Sequence, residues 1–201
     1  VMLDQKIAFR RFYRAAFFLP SITSMVVVAI VWQWIYNPDY GLLNYFLSLF
    51  GIKGPKWLLD ANTSLISLAI VGIWKRAGYD MIIFLSGLQG ISNSYYEASM
   101  LDGANKWQQF RYITLPMLKP TTFFVFVMAV ISSFQVFDQV MLMTKGGPGR
   151  SSSVLVHYLY QNAFQYFKLG YACAIAYLLF FIVMGVTVFN MRMEKSMREI
   201  Y

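Results

Sequence analysis

Glu97–Pro120 reads EASMLDGANKWQQFRYITLPMLKP. It is the long polar segment of a chain otherwise built from apolar runs, and its order is regular. Glu97, Ala98 and Ser99 belong to a helix of small residues that Asp102-Gly103-Ala104 brings to a stop. Trp107, Phe110 and Ile113 then recur at helical spacing, and Leu115-Pro116 redirects the chain into the next apolar run, with Pro120 in its first turn. A patterned polar segment between membrane-length runs is a docking surface for something outside the bilayer.

The rest of the composition fixes the class. With 58% hydrophobic, 18% aromatic and 13% charged residues, the 201-residue chain is too apolar for a soluble domain. Four runs, near 13–36, 63–88, 121–143 and 169–191, are long enough to cross a hydrocarbon core as helices. Helices satisfy their backbone hydrogen bonds internally, so the expected fold is all-α: one polytopic transmembrane domain over 1–201 with four spans.

The net charge of +8 does not point to nucleic acid, because the cations are sorted by loop. Lys6, Arg10, Arg11, Arg14, Lys106, Arg111, Lys119, Arg192, Lys195 and Arg198 make ten on one side; Lys53, Lys56, Lys145, Arg150 and Lys168 make five on the other. The richer side is expected to be cytoplasmic, which puts both ends and the Glu97 loop there. The chain starts at Val1 inside a basic amphipathic segment, with no signal-like opening.

Between the spans, Asn37-Pro38 followed by Asp39-Tyr40-Gly41 predicts a turn. Leu42, Leu43, Phe46, Leu47 and Phe50 predict a short interfacial helix ending before Gly51. Gly146-Gly147-Pro148 predicts a second turn, and Leu155, Leu159, Ala163 and Phe167 an amphipathic helix after it. Ser94 and Glu97 fit a capping box, Gly103 a positive-φ helix stop, and Lys106, Gln108 and Gln109 a wet face. Lys75, Arg76 and Asp80 interrupt the second run; Arg76 and Asp80 are spaced to pair. Cys173 reads as a small packing residue, and His157 as a surface histidine of the outer loop. Gly72, Gly78 and Gly87 read as small faces awaiting helices from outside the chain.

The loop resembles the EAA loop of the transmembrane subunits of ABC importers, through Glu97, Ala98, Asp102, Gly103, Ala104, Phe110, Ile113, Leu115, Pro116 and Pro120. Ser99 stands where that pattern has a second alanine. Asn37-Pro38 with Gly41, Trp74 with Gly78-Tyr79, Gly87-Leu88-Gln89 and Gly146-Gly147-Pro148 are similar to the carbohydrate-uptake branch of these permeases. The resemblance covers nearly the whole chain.

What it implies is a non-catalytic pore subunit in the inner membrane. Residues 91–119 would be the coupling loop, with Glu97, Ala98, Ser99, Asp102, Gly103, Ala104, Phe110, Leu115 and Pro116 meeting a pair of cytoplasmic ABC ATPases. A second permease would complete the pathway, and an extracytoplasmic binding protein would deliver a sugar or polyol. The branch usually has six spans, so the four visible here would be its C-terminal part, with the first two missing from the N-terminus. Lys75, Arg76, Tyr79, Ser133 and Gln135 are the expected substrate-pathway residues, since ionisable groups within spans face wet cavities.

Two other classes fit the residues less well. A membrane-embedded enzyme needs a polar constellation at one depth, and one histidine with scattered acids supplies neither a metal set nor an activated nucleophile. No glycine-rich loop followed by Lys-Ser/Thr is present, and no cofactor is implied. A stand-alone channel or secondary transporter suits the interrupted second run but does not explain the patterned loop.

Overall fold

The computed structural model describes residues 9–198. Lys6 lies outside them, and the side chains of Arg10, Arg11, Lys195 and Arg198 are likewise not described. Every regular element among the described residues is helical, as the composition requires. In chain order they are α1 (Arg10–Ile22), α2 (Met25–Ile35), α3 (Leu42–Leu49), α4 (Ser64–Gln89), α5 (Asn93–Leu101), α6 (Lys106–Gln109), α7 (Leu115–Met117), α8 (Lys119–Phe134), α9 (Asp138–Met143), α10 (Leu155–Tyr160) and α11 (Leu169–Arg198).

Two apolar runs that read as continuous are divided. The first breaks at Thr23-Ser24, where the Ser24 hydroxyl accepts the Val26 N–H at 3.4 Å and starts α2 afresh. The third breaks between Phe134 and Asp138. By length and composition α11 is long and apolar enough to cross a membrane over Leu169–Arg192, with a mean hydropathy of 2.5 in its most apolar 18-residue stretch. Two bent pairs, Phe12–Ile22 with Met25–Ile35 and Lys106–Met117 with Lys119–Phe134, reach that length when each is taken as one span. The 26 residues of α4 have the length, about 39 Å at 1.5 Å per residue, but carry Lys75, Arg76 and Asp80.

The chain divides into two units. One comprises residues 22–75 and 131–187. Its core is Val28, Ala29, Tyr36, Leu68, Val71, Val140 and Met143, where α2, the first half of α4 and α9 meet. Lipid is as apolar as these side chains, so close packing and satisfied polar groups must hold such a core. Accordingly the buried Tyr36 hydroxyl donates to the Ser67 carbonyl at 3.0 Å. Gln33 Nε2 donates to the carbonyls of Leu142 and Met143, at 3.1 and 3.2 Å, closing the end of α9. The Asn37 turn forms as read: Asn37 Oδ1 accepts the N–H groups of Asp39 and Tyr40. α3 follows it and stops at Gly51, whose φ is +71°.

The other unit comprises the described residues of 9–21, 76–130 and 188–198. Here Gly78 of α4 is buried beneath the backbone of α1: a β-carbon would meet the Phe17 carbonyl oxygen and lie 2.9 Å from Phe18 Cα. Gly87 is covered by α8 and the residue before it, with Thr121 Oγ1 2.5 Å and Leu118 Cδ2 3.1 Å from the same hypothetical atom. Gly72, in the first unit, lies under Gln139 of α9 at 3.2 Å. The expectation that these glycines await helices from elsewhere is therefore corrected. A glycine announces close approach but not the partner, and this chain supplies all three.

Candidate functional site

The loop quoted at the outset folds as a braced helix–turn–helix. α5 begins two residues earlier than the Ser94–Glu97 pattern suggested, because Ser92 is the cap: its Oγ accepts the Ser94 N–H at 3.3 Å. Ser94 and Glu97 therefore sit inside the helix, and the expected capping box is not formed. The end is as read. Gly103 adopts φ +80°, its N–H reaches the Met100 carbonyl at 3.1 Å, and Ala104 N–H reaches Ser99 at 2.9 Å. That pair of bonds is a Schellman closure.

A capping box does exist, at Asn105. Asn105 Oδ1 accepts from Gln108 N–H at 2.9 Å, and Gln108 Oε1 accepts from Asn105 N–H at 2.7 Å. The chain then runs through α6 and a π-helical stretch, Phe110–Thr114, in which Leu115 N–H bonds to Phe110. α7 carries Pro116, and the axis bends by 58° into α8.

The two arms are tied across the turn. Gln109, expected to be wet, is buried; its Nε2 donates to Ser99 Oγ at 2.9 Å and to the Tyr96 carbonyl at 3.3 Å. Ser99 Oγ in turn donates to the Tyr96 carbonyl at 2.8 Å. Tyr96 Oη and the buried Thr114 Oγ1 lie 2.9 Å apart. Ser99 thus does more than stay small: its hydroxyl is the acceptor that receives the second arm.

The predicted loop residues divide by exposure. Glu97, Ala98, Asp102, Gly103 and Leu115 face outward; Ser99, Ala104, Phe110 and Pro116 are half-buried. Phe110 stacks on Trp107, with ring centroids 5.7 Å apart. Beside the predicted set stand large apolar side chains with little cover from the described residues: Leu101 is 90% exposed, Tyr112 71% and Trp107 68%. Sequence reasoning missed Leu101, Tyr96, Gln109 and Thr114. The one signal for the local frame was Asn105-x-x-Gln108, an N-cap pattern.

Of the residues expected to line the pathway, Arg76 is brought to its neighbour Asp80 as spaced, Nε to Oδ2 at 3.0 Å on one face of α4. Tyr79, one helical turn from Arg76, is 46% exposed. Arg76 and Tyr79 belong to the 76–130 unit; Lys75, Ser133 and Gln135 belong to the other. There Lys75 Nζ donates to the Thr23 carbonyl at 2.6 Å, at the break before α2. Ser133 and Gln135 are exposed where α8 ends.

Two lesser readings are corrected. His157 is 1% exposed, with Nδ1 3.1 Å from Ser153 Oγ and its ring against Gly146. Burial holds its pKa below the ordinary value of 6.5. Cys173 is exposed on α11 rather than packed within the chain. Among the described residues no group of three His, Cys, Asp or Glu is placed to hold a metal.

Residues 3–195 match the family described as "Binding-protein-dependent transport system inner membrane component". The probable ABC transporter permease YurN of Bacillus subtilis is 39% identical over 190 residues, which are 94% of this chain and 65% of that protein. The arabinooligosaccharides transport system permease AraP of Bacillus subtilis is 31% identical, covering 98% of this chain and 64% of its own. The trehalose/maltose transport system permease MalF of Thermococcus litoralis is also 31% identical, covering 99% and 67%. The chain thus spans about two thirds of the length of these relatives, 64–67%. A crystal structure of a bacterial ABC transporter that imports the acidic polysaccharide alginate superposes with TM-score 0.87 at 25% identity, over 97% of this chain and 69% of that one. A second structure of an alginate transporter, in complex with a periplasmic protein bound to alginate pentasaccharide, gives 0.88. An all-helical chain, a braced EAA-type loop and these matches agree: the chain belongs to the family of inner-membrane components of binding-protein-dependent transport systems.

Proposed function

We propose that the chain is the pore-forming part of a sugar ABC importer. Its four membrane passages lie at about 13–36, 63–88, 121–143 and 169–191, and both ends and the 91–119 loop are cytoplasmic. Two ABC ATPases bind from below, a second permease completes the pathway, and a binding protein delivers an oligosaccharide or polyol from outside. ATP hydrolysis belongs to the ATPases; this chain converts their closure into alternating access. The relatives' names support a saccharide cargo, and the loop-by-loop cation bias supports the orientation.

The observation that carries the reading is the loop itself. It leaves the apolar side chains of Leu101, Trp107 and Tyr112 exposed, and hydrogen bonds inside the loop set its shape. Aromatic and apolar anchors of this kind dominate protein interfaces when a partner's pocket receives them. Glu97 and Asp102 flank Leu101 as a charged rim. Lys75, Arg76, Tyr79, Ser133 and Gln135 are assigned to the translocation pathway, with the Arg76–Asp80 pair and the exposed Tyr79 ring offering hydrogen bonds and a flat apolar surface to a passing sugar.

The test is Leu101→Asp in the importer assembled with its ATPase. Truncating an interface anchor costs about 2 kcal/mol or more, and a buried charge adds to that. The variant is expected to insert normally while losing ATPase co-purification and sugar uptake. Unchanged co-purification and uptake would remove the docking role from this loop.

A further inference from the structure

The unit of residues 22–75 and 131–187 contains a cleft of about 360 Å3 that none of the proposed pathway residues line. Three chain turns form it: Asn37-Pro38 after α2, the short helical turn at Trp57–Leu59, and Gly147-Pro148 after α9. Its polar groups are fixed by bonds they already make. Gln33 spends Nε2 on the Leu142 and Met143 carbonyls, which sets the amide plane and leaves Oε1 as an acceptor. Asn37 is set the opposite way: Oδ1 accepts the Asp39 and Tyr40 N–H groups, at 2.9 and 3.2 Å, and Nδ2 remains as a donor. Lys56 is exposed on the wall, and no ion pair to it is described among the described residues. Leu58, Met143 and Pro148 supply apolar surface between them.

A fixed acceptor, a fixed donor and a cation around apolar surface match a ring with hydroxyls on its edge and C–H groups on its face. The volume lies at the lower end of small-molecule sites, about 300–1,000 Å3, and admits a short saccharide but not a polymer. The geometry points to a saccharide-holding subsite in this cleft, in which Gln33 Oε1, Asn37 Nδ2 and Lys56 Nζ bind ring hydroxyls. The three turns lie on the side assigned above to the exterior, where the binding protein delivers its cargo. This inference rests on the sugar-import reading.

The experiment uses the complete importer, with full-length permeases, ATPases and binding protein, and with Cys173→Ala so that the reporter thiol is unique in this chain. Leu59→Cys on the cleft wall is labelled with a charged maleimide in the absence and presence of maltose, maltotriose and whichever sugar the preparation imports. A saccharide is expected to slow labelling about tenfold; Lys56→Ala is expected to raise the concentration required about tenfold, and Lys56→Arg to restore it. Co-purification of the variant permeases with the ATPases, in the same proportion as the parent, shows that they assemble. If sugar is imported yet no saccharide slows labelling, or if protection is the same in Lys56→Ala, the subsite is disproved and the import reading stands. If no sugar is imported, the import reading falls, and the labelling with maltose and maltotriose still decides whether the cleft holds a saccharide.

Discussion

Gln109 shows how one side chain sets the geometry of the loop. Its amide crosses from the second arm to Ser99 Oγ and the Tyr96 carbonyl, and it is buried while doing so. Gln109→Leu leaves Ser99 without its donor and is expected to destabilise the loop by about 1–2 kcal/mol; Ser99→Ala costs less, about 1 kcal/mol, because Gln109 keeps the Tyr96 carbonyl. Limited proteolysis within 91–119 should accelerate in that order. His157 makes the second residue-scale case. Burial depresses its pKa, so the folded chain resists the proton that the unfolded chain accepts from about pH 6.5 downward. Stability is therefore full above pH 6.5 and falls as the pH drops toward the folded-state value, where the loss levels off. Thermal melts from pH 7.5 to 5 should show this acid loss, and His157→Gln should flatten it. Neither residue was legible in sequence: a glutamine between Gln108 and Phe110 reads as solvated, and a solitary histidine in a loop reads as surface. Their burial depends on which segments the turns bring back, and composition does not carry that.

At the scale of elements, α4 is set by close approach at its glycines. Adding a methyl group at Gly78 drives it into the backbone of Phe17 and Phe18, which no rotamer change relieves. Gly78→Ala is expected to cost about 1–3 kcal/mol through displacement of α1. Gly170, at the start of α11, has nothing within 4 Å among its surroundings, and Gly170→Ala should be neutral or slightly stabilising through helix propensity. Thermal stability of the two variants in the same detergent checks the contrast. Helix positions were largely readable, because α3, α4, α10 and α11 fall where apolar periodicity or length put them. The breaks at Thr23-Ser24 and between Phe134 and Asp138 were not. Val136 and Phe137 keep the second break apolar, and Ser24 acts through a hydrogen bond that hydropathy does not see.

Across the molecule, the legible part of the candidate site is its local part. Glu97, Asp102 and the Gly103 stop follow from short-range rules; the cross-turn ties through Tyr96, Gln109 and Thr114 need the turn to exist first. The three helix contacts under Gly72, Gly78 and Gly87 were beyond sequence reasoning for the same reason. α11 is the opposite case, apolar nearly all round and scarcely covered by the rest of the chain, so its length and composition were sufficient to identify it. The ties within the loop also have a thermodynamic consequence. A segment already closed at both helix ends, and cross-linked by four hydrogen bonds between its arms and around Ser99, has little conformational freedom left to surrender. Association through it should therefore proceed as rigid-body docking, with a heat-capacity change set by the apolar surface covered and no added contribution from coupled folding.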